Sequence, residues 1–160
     1  MLKRLFYATI AIFSLLLPSN AIAAEKGLSY EIEGAGTATQ GSYLVKVTVI
    51  SKKSSVNNEY IARCAVHGVL FRGFSNQETR QTQKPLAGSP MAEAQHAQFF
   101  SEFFKENGPA VAYVTTIDSG LQVVRVNKEY RISTIVVVNK SQLQKDLEKA
   151  GVIKGLNSGF

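Results

Sequence analysis

Three side chains in the sequence have the chemistry of metal ligands: Cys64, His67 and His96. Cys64 and His67 are three residues apart, so on a helix they share one face and could hold a single ion. Thiolate and imidazole are ligands that zinc accepts. A fourth ligand is not evident, although Glu93 lies three residues from His96. The alternative, which we favour, is that both histidines are core or boundary residues with hydrogen-bond partners, because a pair at this spacing is common by chance.

Cys64 and His67 also have the residue types of a thiol nucleophile and its base. Catalysis by a thiolate needs an electropositive, partly exposed cysteine. Cys64 instead shares an apolar helix face with Val56, Tyr60 and Ile61. We therefore expect a buried structural thiol. Since Cys64 is the single cysteine of the chain, packing must hold the fold without an internal disulfide.

Other patterns in the chain do not match a known chemistry. Gly34, Gly36 and Gly41 have the spacing of a phosphate-binding loop, but they lead into a strand instead of a helix N-terminus and so predict a turn. Glu31 and Glu33 lie on one side of an early strand, where we expect them to be solvated. The sequence contains neither a nucleophile elbow nor a zinc-protease helix. It predicts no enzyme, no catalytic residue and no cofactor.

Residues suited to binding lie in the middle of the chain. The polar segment 75–90 contains two prolines and predicts a long loop. Arg72 and Arg80 lie beside and within this loop, and we expect them to be polar anchors for a ligand or partner. The following helix has a wide aromatic face formed by Phe99, Phe100, Phe103 and Phe104. A face of this width indicates two neighbouring elements, a partner, or a homo-oligomer.

The hydrophobic pattern predicts an α+β domain, with an antiparallel or mixed sheet covered by helices in the order ββ-α-β-α-βββ-α. The predicted strands are 28–33, 43–50, 69–72, 110–117, 121–126 and 131–138, and the predicted helices are about 54–67, 91–107 and 141–150. We expect a hairpin from the first two strands and an antiparallel meander from the last three. Gly68 is placed to end the first helix, and Ser141 with Gln144 has the pattern of a capping box.

The N-terminus has the three regions of a secretory signal peptide. Two basic residues precede an apolar run at 5–17, and small residues at 21–23 indicate cleavage near Ala23. The run is shorter than the roughly 20 apolar residues that span a bilayer. Ala24 stands where a lipoprotein would carry a lipidated cysteine. We therefore expect 24–160 to be a single domain in the periplasm or secreted, without a transmembrane segment.

The charge distribution argues against a nucleic-acid partner. The chain has a net charge of +6, and loss of Lys3 and Arg4 with the signal peptide leaves 16 basic and 12 acidic residues. The basic residues are scattered and form no run of the kind that binds nucleic acid. The expected partner is an envelope protein or a small ligand.

Three stretches of the chain resemble a family of small secreted bacterial proteins of uncharacterised activity. These stretches are 43–49, 65–74 and 145–160. The resemblance implies bacterial secretion and no particular activity, cofactor or site residue. The sequence thus predicts a non-catalytic binding or accessory module of the bacterial envelope. The alternative is a metal- or small-ligand-binding protein that uses His67, His96 and Cys64.

Overall fold

The computed structural model describes residues 27–77, 79–89, 91–116 and 120–153. The predicted signal peptide and cleavage site, Pro90, most of the predicted turn at 118–120 and the C-terminal segment 154–160 lie outside the described residues.

Seven strands and four α-helices form the described part of the chain. The strands are β1 (Tyr30–Gly34), β2 (Tyr43–Ser51), β3 (Phe74–Ser75), β4 (Thr82–Gln83), β5 (Val114–Thr116), β6 (Gln122–Val126) and β7 (Glu129–Val138). The α-helices are α1 (Asn58–His67), α2 (Ala92–Gln95), α3 (Ala97–Phe103) and α4 (Lys140–Lys149), with a π-helical turn at Gly68–Arg72 and a 3-10 turn at Pro109–Tyr113. The predicted α+β class is confirmed.

The central sheet is antiparallel and has the strand order β1-β2-β7, with β5 and β6 beyond β7. The alternating residues Val45, Val47 and Val49 of β2 are fully buried, because this face of the strand packs under the helices. Leu143 and Leu147 of α4 complete the same core. The predicted hairpin is confirmed by the pairing of β1 with β2.

The predicted meander of the last three strands is wrong. Within the described residues β5 and β6 do not pair with each other, and both pair antiparallel with β7. Since β2 occupies the other edge of β7 along its whole length, β5 and β6 lie end to end on one edge. In the sequence, a glycine between two strand-like runs indicates a hairpin turn and the interruption of a single strand equally well.

The first predicted helix differs from the structure at both ends. It begins at Asn58 with Asn57 as its N-cap, and not with a serine at 54 or 55. Gly68 does not end it, because Gly68 is right-handed helical and continues into the π-helical turn. A Cβ on Gly68 would lie 2.7 Å from Cδ1 of Ile32, so the glycine serves a close approach of helix and sheet. Gly73, with a φ of 68°, ends the segment, and the predicted strand 69–72 is wrong.

The helix predicted over 91–107 is divided at His96 and ends earlier, at Phe103. His96 has a φ of −118° and a ψ of 35°, which interrupts the helical backbone. The aromatic face meets two neighbours, as its width predicts: the Phe100 ring lies 5.0 Å from that of Phe71, and the Phe103 ring lies 5.9 Å from that of Tyr113. Because most of these rings are buried in the core, they do not form the homo-oligomer interface that the sequence left open.

Two further segments differ in detail. The last helix is capped by Asn139, whose side chain accepts the N–H of Gln142 at 3.0 Å, so the predicted capping box is wrong. The predicted loop 75–90 is not structureless, since β4 pairs with β3 in a short ribbon. None of the helices that the structure describes is both long and apolar enough to cross a membrane.

Candidate functional site

A cleft of about 550 Å³ opens between α1 on one side and α2 and α3 on the other. We call it the α1–α3 cleft. Its lining consists of Gly27, Leu28, Tyr60, Arg63, His67, Glu93, Ala94, Ala97, Phe100, Ser101 and Phe104. The lining thus combines two aromatic rings of α3 and its C-terminal cap with polar side chains from both walls.

Helix α1 places three side chains along one wall of the cleft. Tyr60, Arg63 and His67 are three and four residues apart, so they lie along one face of the helix. The residues that pack on the sheet, such as Ile61 and Val66, lie elsewhere around the helix and are buried. The opposite wall is held by aromatic contacts, with the Phe104 ring 5.4 Å from the His67 ring.

His67 connects three elements through hydrogen bonds. Its Nδ1 lies 2.6 Å from the hydroxyl of Tyr30 in β1, and its Nε2 lies 3.1 Å from Oε1 of Glu93 in α2. Because an ionised carboxylate only accepts, we assign the proton to Nε2, which donates to Glu93, and Nδ1 accepts from the Tyr30 hydroxyl. His67 is therefore a boundary histidine with partners on both nitrogens.

The electrostatics of His67 favour the neutral imidazole. Burial lowers the pKa of His67 below its ordinary value of 6.5, the Glu93 carboxylate acts in the opposite direction, and Arg72 lowers it further. Burial also raises the pKa of the Tyr30 hydroxyl, which is only 4% exposed. The phenol is thus protonated and out of reach of a substrate, so the Tyr30–His67–Glu93 network positions side chains and supplies no free base or nucleophile.

Arg63 is the cation of the cleft, and its hydrogen bonding is incomplete. One terminal nitrogen donates to the backbone oxygen of Phe104 at 3.0 Å. The Nε atom is buried and has no hydrogen-bond partner among the described residues. The guanidinium also lies 5.5 Å from the centre of the Tyr60 ring. No carboxylate of the described ranges lies within 4 Å of Arg63, so this half-buried charge has no counter-ion there.

The structure does not bring Cys64, His67 and His96 together as a metal site. Among the residues it describes, no group of three or more His, Cys, Asp or Glu side chains is placed to hold a metal ion. Both nitrogens of His67 are occupied by Tyr30 and Glu93. The Cys64 thiol is fully buried, and burial raises its pKa to about 12, which keeps it protonated. The same burial makes Cys64 unsuitable as a nucleophile.

The two arginines predicted as binding anchors lie outside the α1–α3 cleft. Arg72 donates to the backbone oxygen of Tyr30 at 2.9 Å and lies 4.1 Å from the centre of its ring. It therefore covers the edge strand β1, although it also lines a separate cavity between β1 and the β3–β4 ribbon. Arg80 is exposed in the loop, with a left-handed φ of 54°. A binding role for Arg72 and Arg80 stays a prediction.

Sequence reasoning missed Arg63 and the pairing of His67 with Tyr30 and Glu93. The spacing of Tyr60, Arg63 and His67 was the available signal for a common helix face. The opposite wall could not be inferred, because its residues lie about 30 positions further along the chain and the pattern does not specify how the helices pack.

The chain matches no protein-family model, no curated protein sequence and no solved structure. The chemistry of the α1–α3 cleft is therefore the basis for a functional proposal.

Proposed function

We propose that this protein is an exported, non-catalytic binding module of the bacterial envelope that holds a small, partly apolar ligand in the α1–α3 cleft. The observation that carries the proposal is a concave site in which an aromatic wall meets a few convergent polar groups, the usual composition of a small-molecule site. The proposed export rests on the signal-peptide pattern of residues 1–23.

The form of the cleft supports a small molecule as the ligand. Its volume of about 550 Å³ lies within the range of roughly 300–1,000 Å³ that is typical of ligand pockets. The rings of Phe100 and Phe104 supply apolar surface, and Arg63, Glu93 and Ser101 supply polar groups that can orient a ligand. A protein partner would require a broader and flatter surface.

The state of the reactive side chains supports binding over catalysis. The Cys64 thiol is inaccessible, the Tyr30 phenol is buried and protonated, and both nitrogens of His67 are already hydrogen-bonded. Catalysis by any of these groups would require a free base or an ionised nucleophile within reach of the substrate.

The proposal is tested by filling the cleft. Ala97 lines the cleft and is exposed, so Ala97→Trp should occupy the ligand volume without disturbing the core. The probe is the neutral apolar dye N-phenylnaphthylamine, titrated into the mature protein and followed by fluorescence. We expect Ala97→Trp to weaken dye binding about tenfold or more, which corresponds to about 1.4 kcal/mol.

The matched control is Gln95→Trp, which adds the same side chain at an exposed position of α2 outside the cleft lining. This variant should bind the dye as the wild type does. Equal dye binding by all three proteins, or no binding by the wild type, would contradict the proposal. Thermal unfolding of each variant establishes that it is folded.

A further inference from the structure

We infer that the ligand of the α1–α3 cleft is a small organic monocarboxylate, whose anionic group is bound by Arg63 and whose apolar body lies on the rings of α3. The inference rests on the proposed binding function and names the class of ligand.

The first observation is the missing counter-ion of Arg63. A guanidinium has five N–H donors in a planar fork, which matches the two oxygens of a carboxylate. In the structure, Arg63 has one printed acceptor, the Phe104 carbonyl, and its buried Nε has none among the described residues. Buried charges in proteins are normally paired, so a half-buried cation without an anion calls for one from outside the chain.

The second observation concerns Glu93, the one carboxylate in the lining of the cleft. Its Oε1 accepts a hydrogen bond from His67, and the carboxylate does not lie within 4 Å of Arg63. His67 is neutral, so Glu93 and Arg63 are the two charges of the lining. The network that holds His67 thus keeps Glu93 engaged elsewhere and leaves the positive end of the cleft for a ligand.

The third observation is the apolar surface beside Arg63. The backbone oxygen that holds the guanidinium belongs to Phe104, whose ring is stacked 6.1 Å from that of Phe100. Ala94 and Ala97 extend this wall with small side chains and leave the volume free. An anionic head at Arg63 would therefore have an apolar tail directed along α3. An amine or a metal cation would meet an uncompensated positive charge in the same place.

The experiment compares two probes of the same shape and different charge. Phenylbutyrate and its neutral amide, phenylbutyramide, are titrated by calorimetry into the mature wild-type protein, Arg63→Met and Arg125→Met. Arg125 is exposed on β6, so its variant carries the same loss of net charge away from the cleft. Methionine keeps the apolar stem of the arginine and removes the fork.

We expect the wild type and Arg125→Met to bind the carboxylate about tenfold or more tightly than the amide, which is typical of hydrogen bonds to a charged group. Arg63→Met should bind both probes with similar affinity. Equal binding of acid and amide to the wild type would overturn the inference while leaving the proposed function intact, and this comparison needs no variant to fold. Dye binding in the cleft without binding of the acid would also overturn the inference, whereas loss of cleft-dependent dye binding would count against the proposed function.

Discussion

Arg63 and His67 lie one turn apart on α1 and differ in how their polar groups are satisfied. His67 has a partner on each nitrogen, and these partners tie it to β1 and α2. Arg63 has a carbonyl and an aromatic ring but no anion among the residues that the structure describes. His67 is thus a residue that builds the cleft, and Arg63 is the residue that we expect to bind in it.

The lowered pKa of His67 predicts how stability depends on pH. Burial disfavours the imidazolium, so the unfolded chain binds a proton at a higher pH than the folded protein does. The contribution of His67 to the free energy of unfolding should therefore be complete above pH 6.5 and decrease as the pH falls below that value. Urea unfolding of the wild type and His67→Gln between about pH 7.5 and 5 measures it.

The slope of stability against pH is the relevant quantity, because His67→Gln also removes packing. The wild type should lose more stability than the variant as the pH falls through this range. Equal slopes in the two proteins would show that His67 is not the group responsible.

At the scale of elements, the segment that follows α1 depends on one glycine. Gly73 has a φ of 68°, and a Cβ at this position would collide with the backbone oxygen of Gln83 in β4. Gly73→Ala should therefore lower the free energy of unfolding by about 2–4 kcal/mol, through strain and displacement of the ribbon. The measurement is denaturant unfolding followed by circular dichroism.

Gly88→Ala separates the two causes. Gly88 has a similar φ of 72°, but no atom lies within 4 Å of the position a Cβ would take. This variant should show only the cost of a left-handed alanine, about 1 kcal/mol. If both variants were destabilised to the same extent, the close approach of Gly73 to β4 would be excluded as a cause.

Elements with a regular apolar pattern could be predicted from the sequence. The alternation along β2 and β7 reflects one face packed under helices, and it gave both strands within a few residues. The errors occurred where a residue type has two physical uses. Gly68 permits close packing against Ile32, although glycine also ends helices, and Gly120 follows an interruption along one strand edge, although glycine also forms hairpin turns.

The candidate site was less predictable than the fold. Histidine and cysteine spacing identified α1 as a helix with chemical groups on one face, but it suggested a metal where the structure shows a hydrogen-bonded imidazole. The partners of His67 are Tyr30 and Glu93, at sequence separations of 37 and 26 residues. Such contacts depend on how helices pack on the sheet, which local periodicity does not determine.

For the whole molecule, the Tyr30–His67–Glu93 network joins the sheet, α1 and α2 in sequence. The sheet positions α1 through its buried valines, and α1 positions α2 through His67. Because the cleft lies between α1 and the aromatic wall of α3, its form depends on the packing of the complete domain. The cleft is therefore a property of the folded chain and not of one loop.

The most direct test of the account is a nuclear magnetic resonance titration of the mature, nitrogen-labelled protein with phenylbutyrate. The account predicts saturable shifts of backbone amide signals along the cleft, at Arg63, Ala97, Ser101 and Phe104, and unchanged signals in the exposed strand β6. Signals that stay unchanged along the cleft, or that shift only outside it, would contradict the assignment of the α1–α3 cleft as the binding site.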